Sequence, residues 1–210
     1  MNIKLVVFDW SGVISDDRKP VYAAANSMLK EHNKQLFSSF EEFFANATMT
    51  PVEYYVRQGI SDDPKVIFEM YKKHYSNAIK SGITPKMYPD VRDVLHNLKN
   101  NGKKLAVLSS HPTESLKSEA NKFGVEIFFD LISGNSENKV DGLETICIKL
   151  SVDPKDALYV GDMIYDVRAA KHAGIFAGGI CTGYHTKEML MKEEPDFLLE
   201  NLSELKNIIT

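Results

Sequence analysis

Two short apolar segments that end in an aspartate constrain the fold of this chain more than any other feature. Residues 5–8 form the first and lead into Asp9, and residues 157–160 form the second and lead, one glycine later, into Asp162. Apolar segments of this length are typical of strands buried in a parallel sheet. Because ligands of such sheets bind beyond the carboxyl ends of the strands, the sequence predicts that both carboxylates meet at one edge.

A third carboxylate belongs to the same predicted edge. Asp166 follows Asp162 by one helical turn, and no basic cluster accompanies these residues or Asp9 in the sequence. Clustered carboxylates with little basic compensation require a hard cation, and magnesium is the cation that most often accompanies phosphate groups. The sequence therefore predicts a magnesium site and phosphate chemistry.

From Met87 onward, strand patterns alternate with helix patterns. The predicted helices cover residues 90–100, 112–124, 142–150, 164–173 and 186–193, and the predicted strands cover 105–108, 125–132, 157–160, 175–180 and 197–199. Strands that alternate with helices of this length indicate βαβ units and a mostly parallel, right-handed sheet.

The segment before Met87 is different, because no strand is predicted in it after the first one. Helices are predicted over residues 20–34 and 64–80, and two capping-box patterns, beginning at Ser39 and Thr50, predict shorter helices. Such a block is too long for a βα loop. We therefore predict a helical domain over residues 16–84, inserted into an α/β core of residues 1–15 and 85–210.

The composition narrows the class of protein. The chain has 210 residues, a net charge of -4 and two cysteines, Cys147 and Cys181, in apolar contexts. This predicts no disulfide framework and no nucleic-acid partner. The N-terminal residues enter a strand without a leader pattern, and no segment reaches the roughly 18 apolar residues of a membrane span. We expect a cytoplasmic enzyme, monomeric or homodimeric, without a membrane partner.

Four separated motifs occur along the chain in an order that matches a known family. They are the loop Phe8-Asp9-Trp10-Ser11-Gly12-Val13, Ser109 at the end of a strand, Lys139 before a helix, and Gly161-Asp162 with Asp166. In this order the chain resembles the haloacid dehalogenase-like (HAD) hydrolase superfamily, in the branch with a helical cap after the first strand. The resemblance implies a Rossmann-like parallel core, an inserted all-helical cap, and a magnesium-dependent phosphohydrolase acting on a small phosphorylated metabolite through an aspartyl phosphate.

The resemblance also implies the residues of the metal site. Asp9 is the expected nucleophile and, with Asp162, a carboxylate ligand of Mg²⁺. The family adds the backbone carbonyl two residues after the nucleophile, which belongs here to Ser11. Asp166 is expected to bind the metal or to orient its waters.

Substrate phosphate is expected to bind opposite the metal. Lys139 offers a compact positive charge for the transition state, with Lys149 as a rival placed in the middle of a helix. Ser109 and Ser110, the latter at the start of a predicted helix, are expected to hold phosphate oxygens, and Ser11 is expected to bind substrate as well as metal. His111 either faces the substrate or is a solvated loop residue.

Ser11 departs from the pattern of most phosphatases in this family. They carry an aspartate there, which acts as general acid and then as general base, and a serine hydroxyl is too weak an acid for that role. Loss of a positioned acid typically lowers a rate by roughly 10²- to 10⁴-fold. Three explanations remain open: a substrate whose leaving group needs little protonation, another residue or water as the acid, or a chain that has lost turnover.

Two alternative functions follow from this departure. A phosphonoacetaldehyde hydrolase-like or dehalogenase-like enzyme would cleave a carbon–phosphorus or carbon–halogen bond, but residues 40–56, where the cap lysine of the former is expected, contain no lysine. The other alternative is a catalytically silent protein that binds a phosphorylated metabolite.

Overall fold

The computed structural model describes residues 2–45, 51–61, 63–136 and 138–209. The chain divides into two compact units, one of Met1–Asp16 and Met87–Thr210 and the other of Asp17–Lys86. We call them the core unit and the helical unit. Their boundaries lie one to two residues from the predicted limits of the core and the inserted helical domain.

The core unit is built on a six-stranded parallel sheet. The strands of the described chain are β1 (Leu5–Phe8), β2 (Ser15–Asp16), β3 (Lys86–Met87), β4 (Lys104–Leu108), β5 (Leu131–Ser133), β6 (Ala157–Gly161), β7 (Phe176–Ile180) and β8 (Phe197–Leu199). The large sheet has the order β5-β4-β1-β6-β7-β8, and β2 pairs with β3. The predicted α/β class with a Rossmann-like parallel core is confirmed.

Helices of the core unit cover the two faces of its sheet. The helices of the described chain are α1 (Arg18–Glu31), α2 (Phe40–Ala45), α3 (Pro51–Arg57), α4 (Pro64–Lys80), α5 (Val91–Asn100), α6 (Thr113–Phe123), α7 (Lys139–Lys149), α8 (Ile164–His172), α9 (Lys187–Met191) and α10 (Leu205–Ile208). Alternate residues of β1 belong to opposite cores: Val6 and Phe8 pack with α5 and α6, whereas Leu5 and Val7 pack with α7 and α8. This alternation follows from the two-residue period of a strand.

The helical unit has a small core of its own. Met28 and Leu29 of α1, Tyr55 of α3 and Ile67 of α4 are buried together, with Phe37 from the segment between α1 and α2. Half of the capping box predicted at Ser39 is present: the Ser39 hydroxyl accepts from the backbone N–H of Glu42, whereas the Glu42 carboxylate accepts from the N–H of Ser38. Thr50, the start of the second predicted box, lies outside the described residues.

The short strands β2 and β3 were not predicted, and two predicted elements differ from the structure. Residues 125–132 were expected to form one strand, but Glu126–Phe128 is a 3₁₀ turn and β5 is restricted to Leu131–Ser133. The apolar residues of that segment pack as a turn against the core, which apolar content alone does not distinguish from a strand. Helix α7 begins at Lys139 rather than at Gly142, because Asn138 caps it by accepting from the N–H of Val140.

None of the helices within the described ranges combines the length and the apolar character that crossing a membrane requires. Cys147 and Cys181 are both free thiols.

Candidate active site

The site lies where the order of the parallel strands reverses. From β1 the chain passes to β4 and β5 on one side, and then returns to place β6 on the other side of β1. Asp9 directly follows β1, and its backbone N–H donates to the carbonyl of Val160 at 2.9 Å. The crevice beyond the carboxyl ends of strands at such a reversal is the usual ligand site of open α/β sheets.

Asp162 is enclosed by backbone. Its side chain is buried, and its Oδ2 accepts from the N–H of Tyr184 at 2.7 Å. A Cβ on Gly12 would lie 2.3 Å from this oxygen, and one on Gly183 would lie 1.9 Å from it. Gly12 also has a φ of 74°, a conformation that favours glycine. Both glycines are therefore needed for the main chain to approach this carboxylate.

Asp166 lies in the first turn of α8. Its Oδ2 accepts from the N–H of Met163 at 3.0 Å, which caps the helix. Its Oδ1 accepts from the hydroxyl of Tyr159 at 3.1 Å, a contact that the sequence did not predict. These bonds turn the carboxylate back from α8 toward β6.

The three aspartates form one buried cluster. Each of Asp9, Asp162 and Asp166 offers a carboxylate oxygen, and these oxygens all lie within 4.8 Å of one another. Burial and the neighbouring carboxylate of Asp166 raise the pKa of Asp9. Burial, together with repulsion from Asp166 and Asp9, raises the pKa of Asp162 well above its ordinary value. The ionised cluster is therefore short of positive charge.

Lys139 supplies part of that charge. Its Nζ donates to Asp9 Oδ2 at 2.7 Å and to Asp166 Oδ1 at 2.5 Å, and it lies 5.7 Å from the centre of the Tyr159 ring. Burial alone would lower the pKa of this lysine, but the two carboxylates outweigh it and raise that pKa well above the ordinary value. One ammonium group offsets one of three negative charges.

The donor set of the cluster fits a hard divalent cation. Three carboxylates converge, and ionised oxygens of this kind are the ligands that Mg²⁺ prefers. The charge left uncompensated by Lys139 equals that of one such ion, since three carboxylates and one ammonium leave two negative charges. The three carboxylates predicted to bind the metal are thus brought together.

The predicted phosphate side follows β4. Ser109 is 1% exposed, and its Oγ accepts from the backbone N–H of His111 at 3.3 Å. Ser110 is exposed and does not begin a helix as expected, because α6 starts at Thr113. A proline at position 112 ends the loop and delays the helix.

Ser11 and His111 meet although they are 100 residues apart in the chain. The Oγ of Ser11 and the Nε2 of His111 are hydrogen-bonded at 3.3 Å, with a direction that depends on the imidazole tautomer. The carbonyl of His111 accepts from the N–H of Asn135 at 2.8 Å, which fixes the loop. His111 is half-buried, and this contact places its imidazole beside the nucleophile loop.

Two aromatic residues adjoin site aspartates in the sequence, Trp10 after Asp9 and Tyr165 before Asp166. Trp10 is 1% exposed and packs on Phe123 and Phe129, so it belongs to the core. Tyr165 is 37% exposed, and its ring lies 6.2 Å from that of His185.

Fold and site together define a parallel α/β enzyme with a carboxylate cluster beyond β1 and β6. Residues 6–180 match the model of the haloacid dehalogenase-like hydrolase family. The chain belongs to this family, as its motifs predicted, and is a hydrolase.

Relatives of known sequence match over nearly the whole chain. A phosphoglycolate phosphatase of Haemophilus influenzae is 24% identical over an alignment that covers 98% of this chain and 98% of the relative. Phosphoglycolate phosphatase 1 of Pseudomonas aeruginosa is 25% identical over an alignment that covers 96% of this chain and 78% of the relative.

Solved structures share the fold. A haloacid dehalogenase-like family hydrolase of Streptococcus pneumoniae superposes with a TM-score of 0.83 at 21% identity, covering 99% of this chain and 98% of the other. The protein CbbY of Rhodobacter sphaeroides, solved in complex with phosphate, gives a TM-score of 0.74 at 21% identity, with coverages of 97% and 96%.

Proposed function

We propose that this protein is a magnesium-dependent phosphatase that hydrolyses a small phosphorylated metabolite through an aspartyl phosphate at Asp9. The observation that carries the proposal is the buried cluster of Asp9, Asp162 and Asp166 with Lys139 bridging two of its members. A structural acid cluster would have no reason to bury three carboxylates against one lysine, because uncompensated buried charge destabilises a fold.

The three aspartates of this cluster are also the proposed metal ligands. Asp9 and Asp162 would hold Mg²⁺ together with the backbone carbonyl of Ser11, and Asp166 would bind it or orient its waters. When bound, the ion would neutralise charge between the nucleophile and the substrate phosphate.

Hydrogen bonds to both carboxylate oxygens orient Asp9 for attack. Its Oδ1 accepts from the N–H of Trp10 at 2.7 Å and its Oδ2 from Lys139 at 2.7 Å. One carboxylate oxygen forms a bond to phosphorus as the bond from phosphorus to the leaving oxygen breaks, giving an acyl phosphate. Lys139 stabilises the negative charge of the transferred group, and water then releases phosphate and regenerates Asp9.

The leaving oxygen needs a proton unless it belongs to a weakly basic group. The contact between Ser11 and His111 favours the second of the three explanations for Ser11, another residue as the acid. In this proposal the imidazolium form of His111 donates the Nε2 proton to the Ser11 hydroxyl, which passes its own proton to the leaving oxygen, and His111 is left as a neutral imidazole. The water that attacks the acyl phosphate returns a proton along the same path.

The helical unit is proposed to act as the cap. Family caps close over the site and exclude water, which strengthens electrostatic interactions within it. We propose that side chains of this unit select the substrate. A cytoplasmic location and a monomeric or homodimeric state remain predictions.

Phosphoglycolate is the first substrate to test, because two relatives that match over most of this chain are phosphoglycolate phosphatases. Its leaving oxygen is an alkoxide, so its hydrolysis depends on a proton donor.

A panel of substrates separates the candidate functions. It contains phosphoglycolate, sugar phosphates, phosphonoacetaldehyde and 4-nitrophenyl phosphate, each with Mg²⁺. Phosphate release from the esters supports the proposal, whereas cleavage restricted to phosphonoacetaldehyde favours the first alternative. Tight binding of an ester without release, even of nitrophenolate, would favour the silent binding protein.

A further inference from the structure

The loop that follows the nucleophile is tied to a distant helix by one carboxylate. Glu119 of α6 accepts from the indole Nε1–H of Trp10 at 3.1 Å and from the hydroxyl of Ser15 at 2.5 Å, both through Oε1. Trp10 and Ser15 are 1% and 0% exposed, and Glu119 is partly buried. These are long-range contacts between elements separated by more than 100 residues.

Both donors need this acceptor. An indole N–H can only donate, and a buried donor without a partner destabilises a protein. A hydrogen bond to an ionised acceptor is also shorter and stronger than a neutral one. Glu119 is thus better suited to hold these two groups than a neutral side chain would be.

The residues tied by Glu119 bracket the site loop. Trp10 immediately follows Asp9, and Ser15 lies four residues beyond Ser11, close to where the chain leaves the core unit after Asp16. Within the loop, the N–H groups of Ile14 and Ser15 donate to the Trp10 carbonyl, each at 2.9 Å. Fixing both ends of so tight a turn fixes Ser11 between them.

Helix α6 links this anchor to the phosphate side of the site. The helix begins at Thr113, directly after the loop of Ser109, Ser110 and His111. Phe123, at the other end of the helix, stacks on Trp10 with ring centres 6.2 Å apart and planes 12° apart. One helix therefore contacts the nucleophile loop and, through Pro112, continues the loop that holds His111, the partner of Ser11.

We propose that Glu119 is a positioning residue, which sets the loop from Trp10 to Ser15 in register with the Ser109–His111 loop. In this role it acts through Trp10 and Ser15. Its catalytic consequence rests on the proposed function, since a loop displaced by about 1 Å can lower a rate about 100-fold.

Trp10 reports on this link directly, because it is the only tryptophan of the chain. Its emission and its quenching by acrylamide measure the environment of the indole without any turnover. In Glu119→Ala we expect emission at longer wavelength, stronger quenching, and a kcat for 4-nitrophenyl phosphate lowered about 100-fold with little change in KM. Glu119→Gln keeps a carbonyl acceptor for both donors and should restore most of the activity and the parent emission.

Matched variants keep the proposal testable. Glu114→Ala removes an exposed carboxylate from the first turn of the same helix and should leave emission and kcat unchanged. Should Glu119→Ala fail to fold, Ser15→Ala removes one of the two bonds and should give the same changes to a smaller extent.

The outcomes separate this proposal from the proposed function. A parent protein that releases no phosphate from any ester would overturn the proposed function, and with it the catalytic role of Glu119. An active parent with unchanged emission and quenching in Glu119→Ala would show that Glu119 does not hold Trp10. A changed emission with parental kcat would show that the link is structural only, and either result overturns the inference.

Discussion

Two lysines, one in each unit, make similar ion pairs in different surroundings. Lys139 of the core unit contacts Asp9 and Asp166 at 2.7 and 2.5 Å, with side chains that are 21%, 9% and 1% exposed. Lys73 of the helical unit contacts Glu31 at 3.1 Å, with side chains that are 62% and 46% exposed. Water and salt screen the second pair, and exposed pairs contribute little stability.

The difference indicates where this chain places its chemistry. In the core unit the sheet edge forces charges together away from water, so each charge alters its neighbours. In the helical unit aromatic and aliphatic side chains form the core, and the charged groups of this pair remain in solvent. Reactivity depends on the first arrangement, because exposed charges are screened and scarcely alter one another.

The largest effect is expected at the metal site. Asp162→Asn should lower kcat/KM for 4-nitrophenyl phosphate by roughly 10³-fold or more, because a charged ligand is lost, while circular dichroism shows an intact fold. The parent in excess chelator should lose activity to a similar extent. Full activity in chelator would contradict a metal-dependent core site.

The next effect concerns the proton donor. His111→Ala should lower phosphoglycolate hydrolysis by roughly 10²- to 10⁴-fold and 4-nitrophenyl phosphate hydrolysis far less, because nitrophenolate leaves without a proton. His96→Ala is the matched control, because His96 is an exposed histidine of α5.

A series of substrates sharpens this test. When the logarithm of the rate constant is plotted against the pKa of the leaving group, the slope should be shallow for the parent and steep for His111→Ala. A parent line already steep would instead mean that Ser11 limits acid catalysis, and Ser11→Asp should then raise the rate with alkyl phosphates.

Removing Lys139 tests the buried pair itself. Lys139→Met leaves three carboxylates without their ammonium partner, so the metal-free protein should lose about 3 kcal/mol of unfolding free energy. Asp162→Asn should act in the opposite direction without metal, because the raised pKa of Asp162 means that its ionisation destabilises the fold. Urea unfolding in chelator measures both. Equal stability of all three proteins would contradict the proposed charge imbalance.

Added Mg²⁺ should favour the parent over Asp162→Asn, the opposite of the difference expected in chelator. At 100 times its dissociation constant, the ion should stabilise the parent by about 2.7 kcal/mol and leave Asp162→Asn nearly unchanged. Thermal unfolding with and without Mg²⁺ measures the difference, and an equal shift in both proteins would place the metal elsewhere.

The smallest effect is expected in the helical unit. Lys73→Ala removes the exposed partner of Glu31 and should change Tm by no more than about 2 °C. A loss of stability comparable to that of Lys139→Met would remove the distinction between the two units.

Local sequence patterns predicted the parts of the structure that depend on local physics. The apolar segments before Asp9 and Asp162 are strands of one parallel sheet, and the predicted helix over 64–80 is α4. Val125–Ile132 was predicted incorrectly because apolar content is shared by strands and packed turns. Sequence periodicity identified the elements better than it located their ends, as Lys139 at the start of α7 shows.

The long-range contacts of the site could not be predicted from the sequence. Glu119 is one of several polar residues on an amphipathic helix, and no local signal distinguishes it from the exposed Glu114. Tyr159 has the pattern of an ordinary strand residue, yet its hydroxyl donates to Asp166. The pairing of Ser11 with His111 depends on the conformation of the loop after β4. The sequence of that loop has no periodic pattern from which its conformation could be predicted.

The central claim is that Asp9 is the nucleophile of a metal-dependent phosphatase. The most direct measurement compares the parent and Asp9→Asn on 4-nitrophenyl phosphate with Mg²⁺, together with a structure of the parent bound to beryllium fluoride. We expect a loss of kcat on the order of 10⁵-fold and a fluoroberyllate joined to the Asp9 carboxylate. Turnover by Asp9→Asn at the parental rate, or beryllium fluoride bound away from Asp9, would contradict the mechanism.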